Sequence, residues 1–109
     1  MEGLELMCFE LIANVGNAKS FFVEAIHEAK EGNFEEAKNK IKEGEEFFIE
    51  GHRIHAQIIQ AEAGGEKVES SLLLIHSEDQ LMSAETIKLM AEEMLDNYKL
   101  IFELKNKQE

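Results

Sequence analysis

The sequence has 109 residues, with 11 Lys plus Arg against 23 Asp plus Glu and a formal net charge of −12. This length supports one domain, residues 1–109, with one modest core, and 44% hydrophobic content is that of a globular chain rather than a disordered one. Such an acidic chain with a single Arg, Arg53, excludes nucleic acid and anionic membrane as natural partners, because both bind basic surface.

No apolar run reaches the roughly 18 residues a membrane span needs. No basic region leads an apolar stretch at the N-terminus, so no secretory signal is expected. One cysteine, Cys8, builds no disulfide framework and fits a reducing compartment. The expected location is the cytoplasm. Proline is absent, so few turns and long regular elements are expected.

The first predicted helix begins at Leu4. Its apolar residues Leu4, Cys8, Leu11, Val15, Ala18, Phe22, Ala25 and Ala29 alternate steps of four and three, a stripe along one helix face. Met7, Ile12, Phe21 and Ile26 widen it beyond the seam of a two-stranded coiled coil. Gly32 is the expected stop, since glycine takes the left-handed conformation without a Cβ clash.

Asn33 reads as the N-cap of a second helix, with Glu36 completing a capping-box-like pair. That helix runs to about Glu62, with Phe34, Ala37, Ile41, Phe48, His55 and Ile58 at three-and-four spacing. Gly44 and Gly51 fall in the same stripe. Each interior glycine weakens the helix by about 1 kcal/mol relative to alanine, so each implies a close neighbour or a bulky side chain opposite. Gly64 and Gly65 mark the next turn, and a loop lasts until about Glu69.

A third helix from near Ser70 to about Lys105 does not fit one stripe. Leu73, Ile87, Met90, Met94 and Ile101 form one face; Leu74, Leu81, Leu95 and Phe102 form another. Two helices of the same chain cover only part of that surface, so the excess calls for helices of other subunits. The expected fold is all-α, an antiparallel up-down-up three-helix bundle that self-associates. Residues 29–37 resemble the corner of a tetratricopeptide unit, but one unit makes no solenoid, and a helical hairpin corner is the plainer reading.

His76 and Asp79 stand three apart in the third helix, on the line Leu73, His76, Asp79 or Gln80, Ser83, Ile87, Met90, Met94. They share a face, and a carboxylate beside an imidazole can orient the ring and favour one nitrogen as nucleophile. By pattern alone, a histidine on an apolar face is more often a satisfied, partly buried structural residue. His52 and His55 are also three apart, and Glu24 precedes His27 in a Glu-x-x-His spacing. A carboxylate-bridged di-metal site needs two such pairs and two more glutamates. His27 and His52 are therefore expected at the surface and His55 at the core edge. Cys8, within the first stripe, reads as a small buried hydrophobe. No phosphate-cradling Gly-Lys-Ser/Thr loop and no Gly-x-Ser-x-Gly elbow occurs.

The segment His55-Ala-Gln-Ile-Ile-Gln-Ala-Glu-Ala-Gly64, a short linker, then Leu72-Leu-Leu-Ile-His76-Ser-Glu-Asp79-Gln-Leu-Met82-Ser resembles the lactose/cellobiose-type enzyme IIA of the bacterial sugar phosphotransferase system. Ser20 to Lys30, followed by Gly32-Asn-Phe-Glu-Glu-Ala37, is similar to it as well. The resemblance implies a three-helix bundle assembled as a homotrimer. It implies that His76 accepts a phosphoryl group from the histidine phosphocarrier protein HPr. The group would pass to a cysteine of the cognate enzyme IIB, towards a sugar entering through the membrane-embedded IIC. Asp79 matches an aspartate near the trimer axis, where three copies share a divalent cation, Mg²⁺, whose hardness suits carboxylate oxygens.

Where the family often has a second histidine this chain has Gln80. Acidic Glu78 beside His76 would disfavour a dianionic phosphoryl group if it pointed inward. The pattern leaves two alternatives: a histidine phosphotransfer domain of two-component signalling, and a helical adaptor without chemistry. In the first, Lys and Gly usually follow the histidine; here Ser77, Glu78 and Asp79 do.

Overall fold

The computed structural model describes residues 1–108, and these fold into three helices: α1 (Leu4–Lys30), α2 (Phe34–Ala63) and α3 (Leu72–Gln108). They form an antiparallel up-down-up bundle drawn out into a rod of 63 × 21 × 17 Å. At 1.5 Å per residue the 37 residues of α3 account for most of that length. α1 packs broadly on both partners, while the α2–α3 contact is the thinnest of the three.

The corners follow from glycine. Gly32, at φ 83°, lets its own N–H reach the Ala29 carbonyl at 3.0 Å and the Asn33 N–H reach that of Glu28 at 2.9 Å. This closes the end of α1 in a Schellman turn. Gly65, at φ 94°, ends α2 the same way: its N–H reaches Glu62 at 3.0 Å, and the Glu66 N–H reaches Ala61 at 3.0 Å. Asn33 does precede α2, and its carbonyl accepts the Ala37 N–H at 2.9 Å. The expected capping box is absent, however, because the Asn33 amide turns back and donates to Glu28 Oε2 at 2.9 Å.

The stripe of α1 is the spine of the core: Cys8, Leu11, Val15, Ala18, Phe22, Ala25 and Ala29 are all buried. Successive clusters run down the rod from Cys8, Ile58 and Leu74 to Ala29, Ala37 and Leu95. Gly44 and Gly51 serve close approach. A methyl at Gly44 would sit 2.7 Å from Cε1 of the fully buried Phe22 and 3.0 Å from Cβ of Phe21; one at Gly51 would sit 2.7 Å from Val15 Cγ1. Alanine gains about 1 kcal/mol of helix propensity, but overpacking a tight core costs about 1–3 kcal/mol, and neither neighbour is a flexible chain end. Gly44→Ala and Gly51→Ala are each expected to lower the thermal midpoint, by up to about 2 kcal/mol of stability, in a melt followed by circular dichroism.

Of the two predicted faces of α3, the one with Leu74, Leu81 and Leu95 is the intrachain face, completed by Ser77, Ala84 and Ala91. The other expectation is met in part. Met90 and Ile101 are exposed as it requires, while Leu73, Ile87 and Met94 are half-buried along its edge. The exposed apolar face is wider and also holds Leu72, Ile75, Met82, Leu89, Leu100 and Leu104, all more than half exposed. Apolar residues crowd so much of this helix that period alone cannot rank its faces.

The exposed histidines and glutamates sort by their partners. His27 and His52 lie at the surface and His55 at the core edge. Glu24 does not pair with His27 but ties α1 to α2 through Lys40 at 3.3 Å, and its hydrogen bond holds the Lys40 ammonium above its ordinary pKa. No helix among the described residues is long and apolar enough to cross a membrane.

Candidate functional site

The site stands at the start of α3. Ser71 caps that helix: its Oγ accepts the Leu74 N–H at 3.1 Å and its carbonyl the Ile75 N–H at 3.0 Å. His76 follows in the second turn, exposed, in a shallow depression that it lines with Leu72 and Leu73. Helical side chains lean towards the N-terminus, so a group on this imidazole is carried towards the end of the helix where backbone N–H groups and the dipole favour negative charge.

The next four side chains diverge. Ser77 is fully buried, and its hydroxyl donates to the Leu74 carbonyl at 2.7 Å, so the core tolerates it. Glu78 turns towards α2, where its Oε1 lies 3.2 Å from His55 Nε2. The acidic neighbour of His76 is thus drawn to the other side of α3, as a step of two residues around a helix requires. Asp79 is exposed beside His76, in steps of three and four with Leu72, Ile75 and Met82. It therefore lies in the exposed apolar face. Gln80 is half-buried, and its Oε1 accepts a hydrogen bond from Lys19 Nζ of α1 at 2.9 Å.

Shared face is therefore what His76 and Asp79 have in common, and the hydrogen bonds of this stretch run elsewhere: Ser77 to Leu74, His55 with Glu78, Lys19 to Gln80. The ring-orienting pair expected from their spacing does not form. Among the described residues no cluster of three His, Cys, Asp or Glu within the chain could hold a metal. Spacing along the sequence had no means of finding Lys19 or the His55–Glu78 contact, because both join residues of different helices. The only trace of Lys19 was its place beside the stripe residue Ala18.

Fold and site together define an all-helical bundle that presents one exposed histidine beside apolar surface at the start of its longest helix. Residues 6–99 match the family described as the lactose/cellobiose-specific IIA subunit of the phosphotransferase system. The chain is 42% identical over 102 residues to the lichenan-specific phosphotransferase enzyme IIA component of Bacillus subtilis, covering 94% of this chain and 93% of that one. The cellobiose-specific enzyme IIA of Bacillus anthracis superposes with a TM-score of 0.89 at 44% identity, over 93% of each chain. The IIA of the N,N'-diacetylchitobiose branch of Escherichia coli, solved in complex with HPr, superposes with a TM-score of 0.80 at 29% identity, over 93% of this chain and 98% of that one. The chain belongs to the lactose/cellobiose-specific IIA family, a phosphotransferase component of sugar transport.

Proposed function

We propose that this chain is the phosphoryl carrier of a β-disaccharide phosphotransferase system of the lactose, cellobiose or chitobiose type, with His76 as acceptor. The observation that carries the reading is the exposure of His76, without an intramolecular hydrogen-bond partner, beside Leu72 and Leu73 at the capped start of α3. A carrier histidine must be reached by two partners in turn, and an exposed ring on apolar surface meets that demand. Phosphoryl transfer asks mainly for positioning and charge management, which one histidine on a rigid helix can supply.

In the first step the lone pair of the neutral His76 imidazole attacks the phosphorus on the phosphohistidine of HPr. A nitrogen–phosphorus bond forms as the donor's breaks, and the donor leaves as neutral imidazole. In the second, a cysteine thiolate of enzyme IIB attacks the same phosphorus and His76 is released neutral. The complex of the chitobiose-branch IIA with HPr supports HPr as the donor. The proposed location is the cytoplasm, where donor and acceptor meet.

The working unit in this reading is a homotrimer assembled through the exposed face of α3. Asp79 sits within that face, so three copies bring three carboxylates together, whose mutual repulsion a Mg²⁺ ion would relieve. Carboxylate oxygens fit such a hard ion, and one chain alone lacks the donors for it. The decisive experiment incubates the protein with phosphoenolpyruvate, enzyme I and HPr. One acid-labile phosphoryl group per chain is expected; a chain that takes up none is not a carrier.

A further inference from the structure

We infer that Gln80 is a direct ligand of the phosphoryl group on His76, and that Lys19 is the positioning residue that sets which end of the Gln80 amide meets it. The inference rests on His76 being the acceptor.

Gln80 follows His76 by four residues on an unbroken helix, so the two side chains are neighbours on one face, with Cβ atoms about 5–6 Å apart. Side chains on a helix lean towards its N-terminus, which carries the Gln80 amide towards the turn of His76. An amide has an acceptor end and a donor end, and only its surroundings decide their orientation. Here the ammonium of Lys19, a donor with no acceptor capacity, lies 2.9 Å from Oε1. That contact takes the oxygen, so the two N–H groups of Nε2 face away from Lys19.

No buried side-chain nitrogen or oxygen among the described residues lacks a partner. The Nε2 donors, which make no hydrogen bond within the chain, are therefore open to solvent or to a ligand. A phosphoryl group on His76 brings three acceptor oxygens and nearly two negative charges to this neighbourhood. Gln80 donates to one of those oxygens, and Lys19, half-buried behind it, contributes positive charge within a chain of net −12.

Gln80→Glu is the informative variant. A carboxylate at this position keeps the tie to Lys19 as an ion pair, so a purely structural link between α1 and α3 survives. The same change removes the N–H donor and adds a negative charge beside the phosphoryl group. The expected result is a thermal midpoint at or above wild type, with phosphoryl uptake from HPr shifted at least tenfold towards the donor and a phosphohistidine hydrolysed several-fold faster. Lys19→Met, which keeps the aliphatic stem, is expected to shift the same two readouts three- to tenfold. The double variant Lys19→Met/Gln80→Leu should be no worse than Gln80→Leu alone, because the two act as one unit.

Wild-type uptake and lifetime in Gln80→Glu and Lys19→Met, with wild type itself phosphorylated on His76, would overturn this inference and leave the carrier reading standing. A thermal midpoint that falls in parallel with uptake in both variants would likewise reduce the pair to a structural tie. If wild type accepts no phosphoryl group, both readings fall together.

Discussion

His76→Ala is expected to take up no measurable phosphoryl group from HPr, a loss of about a thousandfold or more, because it removes the proposed nucleophile. The fold should be untouched, since His76 is exposed and the capping of α3 is performed by Ser71. His27→Ala and His52→Ala make the necessary comparison: both residues are as free at the surface, yet neither stands at the start of a helix beside an apolar depression. Both variants should accept phosphate as wild type does. His55→Ala differs again, because that ring is half-buried against Glu78 on the α2–α3 contact. Uptake at wild-type level by His76→Ala, measured as acid-labile radioactive phosphate per chain, would place the acceptor elsewhere.

The second large effect concerns the exposed face of α3. Leu72, Ile75, Met82, Leu89, Leu100 and Leu104 are 56 to 84% exposed in the isolated chain, far more apolar surface than one helix of a soluble protein normally shows to water. Each such side chain contributes about 1.5–3 kcal/mol when fully buried, so a few per subunit suffice to hold an assembly together at micromolar concentration. Sedimentation of wild type is expected to give three times the 12.4 kDa chain mass. Leu89→Lys would place three ammonium groups in the proposed trimer seam and should sediment as a monomer with unchanged helicity. Asp79→Leu should do the reverse, holding the trimer without Mg²⁺ as firmly as wild type or more so, because three converging carboxylates are replaced by apolar packing. A monomeric wild type, with or without Mg²⁺, would contradict the proposed assembly. Dissociation of Asp79→Leu would remove Asp79 from the axis.

Helices are legible in the residues wherever one physical cause acts alone. The stripe from Cys8 to Ala29 has a single covered face, so its period named the spine of the core directly. Gly32 and the Gly64–Gly65 pair ended helices where the chain needs positive φ or an abrupt stop. Local pattern misleads where two causes compete. Asn33 had two hydrogen-bonding options within reach and took Glu28 rather than its own helix. Along α3, two apolar faces overlap in sequence: of the face read as Leu73, Ile87, Met90, Met94 and Ile101, only Met90 and Ile101 are exposed, and they share that exposure with Leu72, Ile75, Met82 and Leu89. Shifting a helical stripe by one residue turns it by 100°, which is enough to exchange edge for centre.

By itself the sequence determined the class of architecture, the register of α1, the tight passage at Gly44 and Gly51, and the candidacy of His76. These rest on local rules: helical period, glycine's backbone freedom and the residue types that transfer chemistry requires. The tertiary structure alone decided the surroundings of that histidine. Glu78 is drawn away by His55 from 23 positions upstream, and Gln80 is oriented by Lys19 from 61 positions upstream. A contact between helices depends on how their axes pack, and no spacing within one helix encodes that.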